Sequence, residues 1–503
     1  MAIAMLTGES GQIDFEAEEE DQALVMIVPI ADYAKFAKAL GATEITGIAS
    51  IQVDEKPAFL KDIGGGYAAM GPAKEVVEKF EGKGGNLATH TKTLGKAGQQ
   101  IADKSDVLFV ISVPAVKDKI DEGVAEFKDD AEGMSAMAGA GGAQAEAAVK
   151  MFQEVAEAFA RDGQVGIMGF GLGEAGITID FGAQFKEGSP SAKFLSASGN
   201  ASTFLAHVPN QPFFVAMAMD MTNPGIKKFY KDMEALNDGN PMGSIGMTGV
   251  AENIEKTNGM AFVMGANKAG IMGLFANTVS FISTGDSKGY VTSAAKAMTE
   301  LNGKEVEGVK FTVDYKPAAL EVAGVKADTW SIQMDADEDQ AGGMDMMQQM
   351  MFGADGLGGM IAPVENGVVM TMSQNTPLFT SAVEAAKTGK GLAEDQLIKD
   401  AQKHLPGNRM FEMHFGTKSI MEAVNSFMAM MGGGAEMKIP AKVSHVSMAA
   451  GVEGGGIDFR IFVPTDVITT ISDTVKAMKA AEEGDDEEMD EDAPAEKGPT
   501  PRF

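Results

Sequence analysis

The segment "QVGIMGFGLGEAGITIDFGAQF", Gln164 to Phe185, holds two apolar, β-compatible runs separated by little more than Gly-Glu-Ala-Gly. So short a connection leaves no room for a crossover, and the two runs must pair as an antiparallel hairpin. The same economy recurs along the chain. "ALVMIVPI", "DVLFVISV", "FFVAMAMD", "TVSFISTG", "VKFTVDY", "TWSIQMD", "GVVMTMS" and "GIDFRIFV" are short, and most are bounded by Gly, Asn, Asp or Pro. Helix-like periodicity interleaves with them in "DYAKFAKAL", "AKEVVEKF", "VKDKIDEGVAEF", "AQAEAAVKMFQEVAEAFARD", "YVTSAAKAM" and "TKSIMEAVNSFM". The expected fold class is α+β, with antiparallel sheets and helices packed on them.

An internal echo refines this expectation. "SIQVD" from Ser50 recurs as "SIQMD" from Ser331, and "GYAAMG" from Gly66 answers "GVVMTM" from Gly367. Ile120, Val124 and Phe127 match Ile420, Val424 and Phe427 at the spacing of one helical face. Ile179-Asp180-Phe181 returns as Ile457-Asp458-Phe459. Four identities in the same order point to two tandem, distantly related halves, each an antiparallel sheet with packed helices. The expected boundaries are 23–200 for the first half and 201–478 for the second. The acidic segments 1–22 and 479–503 read as a disordered arm and tail. The second half has a lead-in, roughly 202 to 280, with no counterpart before Ala23. Either the first half lacks it, or the chain given is shorter than its precursor and an export signal lay upstream.

Composition excludes several function classes. With 41 basic against 72 acidic residues the net charge is -31, so nucleic acid and anionic membrane surfaces are poor partners. There is no cysteine, which removes disulfides, thiolate catalysis and cysteine-based metal sites. "MAIAMLTGESGQIDFEAEEED" lacks the pattern of a signal peptide. No apolar run has the length of a transmembrane helix.

Catalytic motifs fare poorly. Gly171 to Gly176 fits G-x-G-x-x-G, but a strand-like run follows where a dinucleotide site needs a helix, so a hairpin turn is expected. Gly285 to Gly289, "GDSKG", fits the nucleophile elbow and lies between strand and helix patterns. A hydrolase using Ser287 is therefore carried as a third function, against a plain N-cap reading of Asp286 and Ser287. The histidines His90, His207, His404, His414 and His445 show no compact ligand spacing. Asp129-Asp130 and "DADED", 335 to 339, continue into no calcium loop. No catalytic residue, cofactor or metal is expected.

What remains is methionine, 37 of it. "GGMDMMQQMMFGADGLGGMI" lies in a stretch, 336–361, that the echo marks as an insertion in the second half. Wound as a helix, Met344, Met346, Met347, Met350 and Met351 share one face, followed by Phe352. Thioethers suit Cu(I), but no His or Cys accompanies them. Adaptable apolar surface for a ligand or partner is the reading preferred here.

"PAFLKDIGGGYAAMGPAKEVVEKF", "VPNQPFFVAMAMD" and the "GVVMTMS" strand followed by "AAKTGKGL" resemble a group of uncharacterised large exported proteins of planctomycete-type bacteria. The resemblance covers most of residues 23 to 475 and implies an extracytoplasmic or envelope setting; a cytoplasmic one is the alternative. It carries no functional residue. The expected function is a non-enzymatic binding or assembly protein that engages a protein partner or self-associates, with a carrier of an apolar ligand as the alternative.

Overall fold

The computed structural model describes residues 2–5, 24–42, 44–53, 56–80, 94–125, 153–196, 199–224, 226–228, 231, 253–267, 272–306, 308–336, 346, 348–430 and 437–488. The fold is α+β and, with one exception, antiparallel. Its strands in the first part of the chain are β1 (Ala2–Met5), β2 (Leu24–Pro29), β3 (Ile48–Val53), β4 (Lys56–Gly64), β5 (Tyr67–Gly71), β6 (Val107–Ser112), β7 (Gly163–Gly173) and β8 (Gly176–Phe185). Those that follow are β9 (Phe213–Asp220), β10 (Thr257–Gly265), β11 (Asn277–Thr284), β12 (Glu305–Val306), β13 (Val309–Val322), β14 (Val325–Ala336), β15 (Leu357–Val364), β16 (Gly367–Thr371), β17 (Arg409–Phe415), β18 (Val446–Glu453) and β19 (Gly456–Pro464).

Hairpins set the local order. β7 and β8 turn at Glu174-Ala175, between the paired Gly173 and Gly176, so the G-x-G-x-x-G stretch is the expected turn. β18 and β19 turn in the same way, between Glu453 and Gly456. The two hairpins then join edge to edge, β8 against β19, antiparallel from Gly176–Pro464 to Gln184–Gly456. From this seam the pairings run outward as β8-β7-β6 on one side and β19-β18-β17 on the other. β9, β10, β11, β16, β15, β14 and β13 continue beyond β17. Beyond β6, β1 makes a single parallel pairing, Ala2 with Leu108, and β2, β5, β4 and β3 follow it.

Helices cover the sheet where its residues are small. Gly95–Ala102 lies on β7, β8 and β19, and a side chain at Gly182 would overlap Ile101. Thr376–Thr388 starts on Asn375, whose side chain accepts from the Leu378 amide, and ends on Gly389 at φ 63. It buries Phe379 and Val383 in the largest core, with Phe281, Met360 and Val369. A second core gathers Trp330, Tyr290, Phe311 and Ile361 under Ser287–Leu301. Trp330 is fully buried, as core packing requires.

Three expectations change. Residues 2–5 form a strand rather than part of a disordered arm, because the apolar "AIAM" pairs with Leu24–Ile27. The helix Thr465–Glu488 runs ten residues into the segment read as a tail, carried by its Lys, Ala and Glu, which are good helix formers. The boundary near residue 200 separates no sheets, because β8 and β19 weld both sides into one hydrogen-bonded series. Residues 6–23 and 489–503 lie outside the described residues.

Candidate functional site

Strand alternation sends every second side chain of β7, β8, β19, β18, β17 and β9 to one face. The register lines up Gly169, Asp180, Arg460, Ala449, Glu412 and Ala218 across these strands. This is the face roofed by helix and loop, and its charged members are sealed: Asp180, Arg460 and Glu412 are at most 1 % exposed. Glycine and alanine between them let the roof approach closely.

Two polar networks occupy the row. In the first, Arg460 Nε donates to Asp180 across the seam, Nη1 donates to the His404 carbonyl at 3.0 Å, and Nη2 lies 3.8 Å from Asp458. Burial raises both carboxyl groups. Asp180 and Asp458 sit close enough to perturb one another, and the Arg460 guanidinium opposes the rise in each. One buried cation thus serves two buried carboxyls, and the economical solution is a retained proton. Lys104 faces the same cluster, and its own ammonium is lowered by burial and by Arg460.

The second network looks like hydrolytic machinery. His414 Nδ1 meets Ser447 Oγ at 2.7 Å, and Nε2 meets Glu412 Oε1 at 2.7 Å. Gln402 donates to Glu412 Oε1 at 2.7 Å, and Arg409 donates to Oε2 at 3.1 Å. Burial alone would raise the Glu412 carboxyl; His414 and Arg409 outweigh it and hold the group lowered. Ser447, His414 and Glu412 are all 0 % exposed. A nucleophile needs substrate within bonding distance, so this triad is structural. The small cavity beside the row, lined by Gln100, Gly451, Glu453 and Asp458, has room for about one water molecule.

The opposite face of the same strands is apolar: at one end Ala183, Phe185 and Val452 are buried in a small core with Ala192 and Leu195, and beyond it the face is only partly buried. One line runs from Phe170 through Ile179, Ile461, Met448 and Met413 to Met217, each directly paired with the next. The adjacent line contains Phe181, 44 % exposed, opposite Phe459. Leu172 stands out further at the hairpin end. The helix Thr417–Met430 contacts β9 yet leaves Val424, Phe427 and Met430 exposed at helical spacing. Thr465–Glu488 contacts β19 and β8 and leaves Ile468, Ile471 and Val475 exposed.

Residues singled out from sequence fall elsewhere. Met346 and Met350 are exposed one helical turn apart. Met351 is half-buried, and its carbonyl accepts from the Phe275 amide at 2.8 Å. Phe352 is core rather than partner surface: it is buried with Trp330 and Leu357, and its ring packs 6.0 Å from Phe275. Met344 and Met347 lie outside the described residues, as do His90, Asp129, Asp130 and residues 337–339. Ser287 donates to the Val364 carbonyl at 2.9 Å and begins a helix capped by Asp286; none of its described hydrogen bonds is to a histidine. His207 stacks on Phe281 and His404 on Phe462, while His445 packs against Phe213. No group of acidic and histidine side chains with metal-ligand geometry occurs among the described residues. No helix among them is long and apolar enough to cross a membrane.

Comparison with protein-family models, with curated proteins and with solved structures returns no match to this chain.

Proposed function

We propose that this is a non-enzymatic binding protein whose working surface is the apolar face of the central sheet, β6 to β10. One observation carries the reading: across the middle of these strands a row of charges is sealed, while the apolar line on the other face stays partly wet. Ordinary economy buries the Phe, Met and Ile face and leaves charges to water. Here Asp180, Asp458, Arg460, Glu412 and His414 are sealed, and Phe170, Ile179, Phe181, Met413 and Met217 stay partly in contact with solvent. An apolar surface of this breadth on a chain of charge -31 is expensive to leave wet, and such surfaces mark interaction sites. Methionine lets the surface adapt to an irregular partner.

The partner we favour is a broad apolar surface on protein or on another copy. The alternative of an enclosed apolar ligand has less support, because the cavity beside the polar row is too small for one. The finer reading of two related halves belongs to the same proposal. It is supported by the mirrored order β6-β7-β8 against β17-β18-β19 and by β2-β5-β4-β3 against β11-β16-β15-β14. The extracytoplasmic setting rests on the resemblance of "VPNQPFFVAMAMD" and its companions, and cell fractionation tests it.

The functional test uses Nile red, a neutral dye that fluoresces in apolar surroundings. The protein should bind it saturably, and the double variant Phe181→Ser/Met413→Ser should lose most of that signal while keeping its circular dichroism. Unchanged dye binding in a folded variant would sink the proposal. Native mass spectrometry on freshly isolated protein separates the two partners: retained lipid favours a carrier, and higher-order protein species that disappear in Phe181→Ser/Met413→Ser favour a polypeptide.

A further inference from the structure

The edge at β3, beyond which no further strand pairs among the described residues, lies on a part of the sheet remote in strand order from the apolar face. β3 contains Ser50-Ile51-Gln52 and β14 contains Ser331-Ile332-Gln333. Both occupy the same place in the strand order. Each pairs with the outer strand of a hairpin, β4-β5 or β15-β16, whose inner strand pairs with β2 or β11. The outward edge of β14 is filled: β13 runs antiparallel along it, with Val313 opposite Ile332 and Thr312 opposite Gln333. The outward edge of β3 pairs with no strand among the described residues.

The two ends of the sheet are also finished differently. At the β13 end the two-residue β12 covers Val309 and Lys310, and the rest of the outer edge of β13 carries Asp314, Lys316 and Pro317, a register break between Lys316 and Leu320, and Ala318 at φ 47. Charge, proline and irregularity are the usual means of stopping further strands from adding. β3 has none of them. Ile48–Val53 contains no charged residue and no proline, and its pairing with β4 is unbroken from Ile48–Lys61 to Val53–Lys56. Ser50 and Gln52 are exposed.

We infer that the β3 edge is a docking site for an antiparallel strand, and that its occupant is β3 of a second copy of this chain. An antiparallel pair of identical strands closes on a two-fold axis, which ends the assembly at a dimer. The chain already joins two hairpins in this manner at the β8–β19 seam. The uncharged edge is also where two strongly acidic copies meet without burying carboxylates in the contact.

Sedimentation velocity on the full chain across a micromolar concentration series, at physiological salt, is the test. A monomer–dimer equilibrium is expected, and Ser50→Lys/Gln52→Lys should weaken it roughly tenfold or more by placing four lysines along the paired edges. Hydrogen exchange should show Ile48–Val53 protected at high concentration and open at low concentration. Phe181→Ser/Met413→Ser, which disturbs only the apolar face, should leave this dimer intact, so the two surfaces fail or succeed separately. A chain monomeric at every concentration overturns the inference. So does a dimer that ignores the edge lysines, or one abolished only by the face variant. If folding of the lysine variant is in doubt, concentration-dependent exchange in the unaltered chain decides alone.

Discussion

Asp180 on β8 and Arg460 on β19 stand directly opposite each other across the seam, both fully enclosed, and the guanidinium donates to the carboxylate. Asp458, two residues before Arg460 on the same face, competes for the same cation. Removing the cation leaves two buried carboxyls with only the more exposed Lys104 ammonium near them. Removing Asp458 relieves a repulsion. We therefore expect Arg460→Met to cost about 3–5 kcal/mol in urea unfolding, and Asp458→Asn to cost far less or to stabilise. Equal losses for the two variants would show that this asymmetry is absent.

Two buried groups give stability opposite slopes with pH. Burial, helped by Asp180 and opposed by Arg460, raises the Asp458 carboxyl to about 7. The folded chain then keeps a proton that the unfolded chain has released, so this contribution is lost as pH rises from the ordinary carboxylate range through about 7. Burial lowers the His445 imidazole to about 4, with His414 reinforcing the effect. Here the unfolded chain takes up the proton first, and stability is lost as pH falls from 6.5 toward 4. Both windows lie between about 4 and 7, so relative to the unaltered chain the urea midpoint should rise with pH in Asp458→Asn and fall with pH in His445→Gln. Unaltered profiles in both variants would mean that neither group carries the effect.

The Ser447–His414–Glu412 arrangement makes a sharp chemical prediction. A fluorophosphonate probe should label neither Ser447, which is 0 % exposed, nor Ser287, whose hydroxyl is spent on Val364. Ser447→Ala should instead register as lost stability, about 1–3 kcal/mol, because His414 Nδ1 loses its buried partner. Labelling of Ser447 in native protein, read by peptide mass spectrometry, would mean that the row is accessible.

Much of this was legible in the sequence. "QVGIMGFGL", "FFVAMAMD", "TVSFISTG", "GVVMTMS" and "GIDFRIFV" all became strands, because short apolar runs close to turn residues have few other options. The α+β class followed from their spacing. β15 and β17 were harder. "LGGMIAPV" carries two glycines and a proline, and "RMFEMHF" carries two charged residues and a histidine, so neither reads as a core strand.

The polar row was the part that sequence concealed. "IDFRI" in β19 alternates, yet alternation says only that the two faces differ, not which is buried. Ile457, Phe459 and Ile461 invite the core assignment. Tertiary packing gives it instead to Asp458 and Arg460, because Asp180 arrives from β8 as a partner 280 residues away. Glu412 and His414 posed the same ambiguity. A charged pair at i and i+2, on two strands of the same chain, was the available signal. Even the repeated Ile-Asp-Phe misleads slightly: Asp180 lies four residues past the Gly176 turn, whereas Asp458 lies two past Gly456, so the two motifs sit one pleat apart in their hairpins.

The methionine-rich stretch divides into a buried anchor and an exposed face, and oxidation tells them apart. Met346 is 72 % exposed and Met350 42 %, whereas Met360 and Met370 are at most 1 % exposed. Limited treatment with hydrogen peroxide should convert Met346 and Met350 to sulfoxide while sparing Met360 and Met370, because accessibility of the thioether governs the reaction. Phe352 tests the other half of the division. It closes the core around Trp330 and Leu357, so Phe352→Ala should cost about 3–5 kcal/mol in urea unfolding. Met346→Ala, by contrast, should fall within about 0.5 kcal/mol of the unaltered chain. Equal oxidation of all four methionines, or a neutral Phe352→Ala, would show that the segment does not dock on the core.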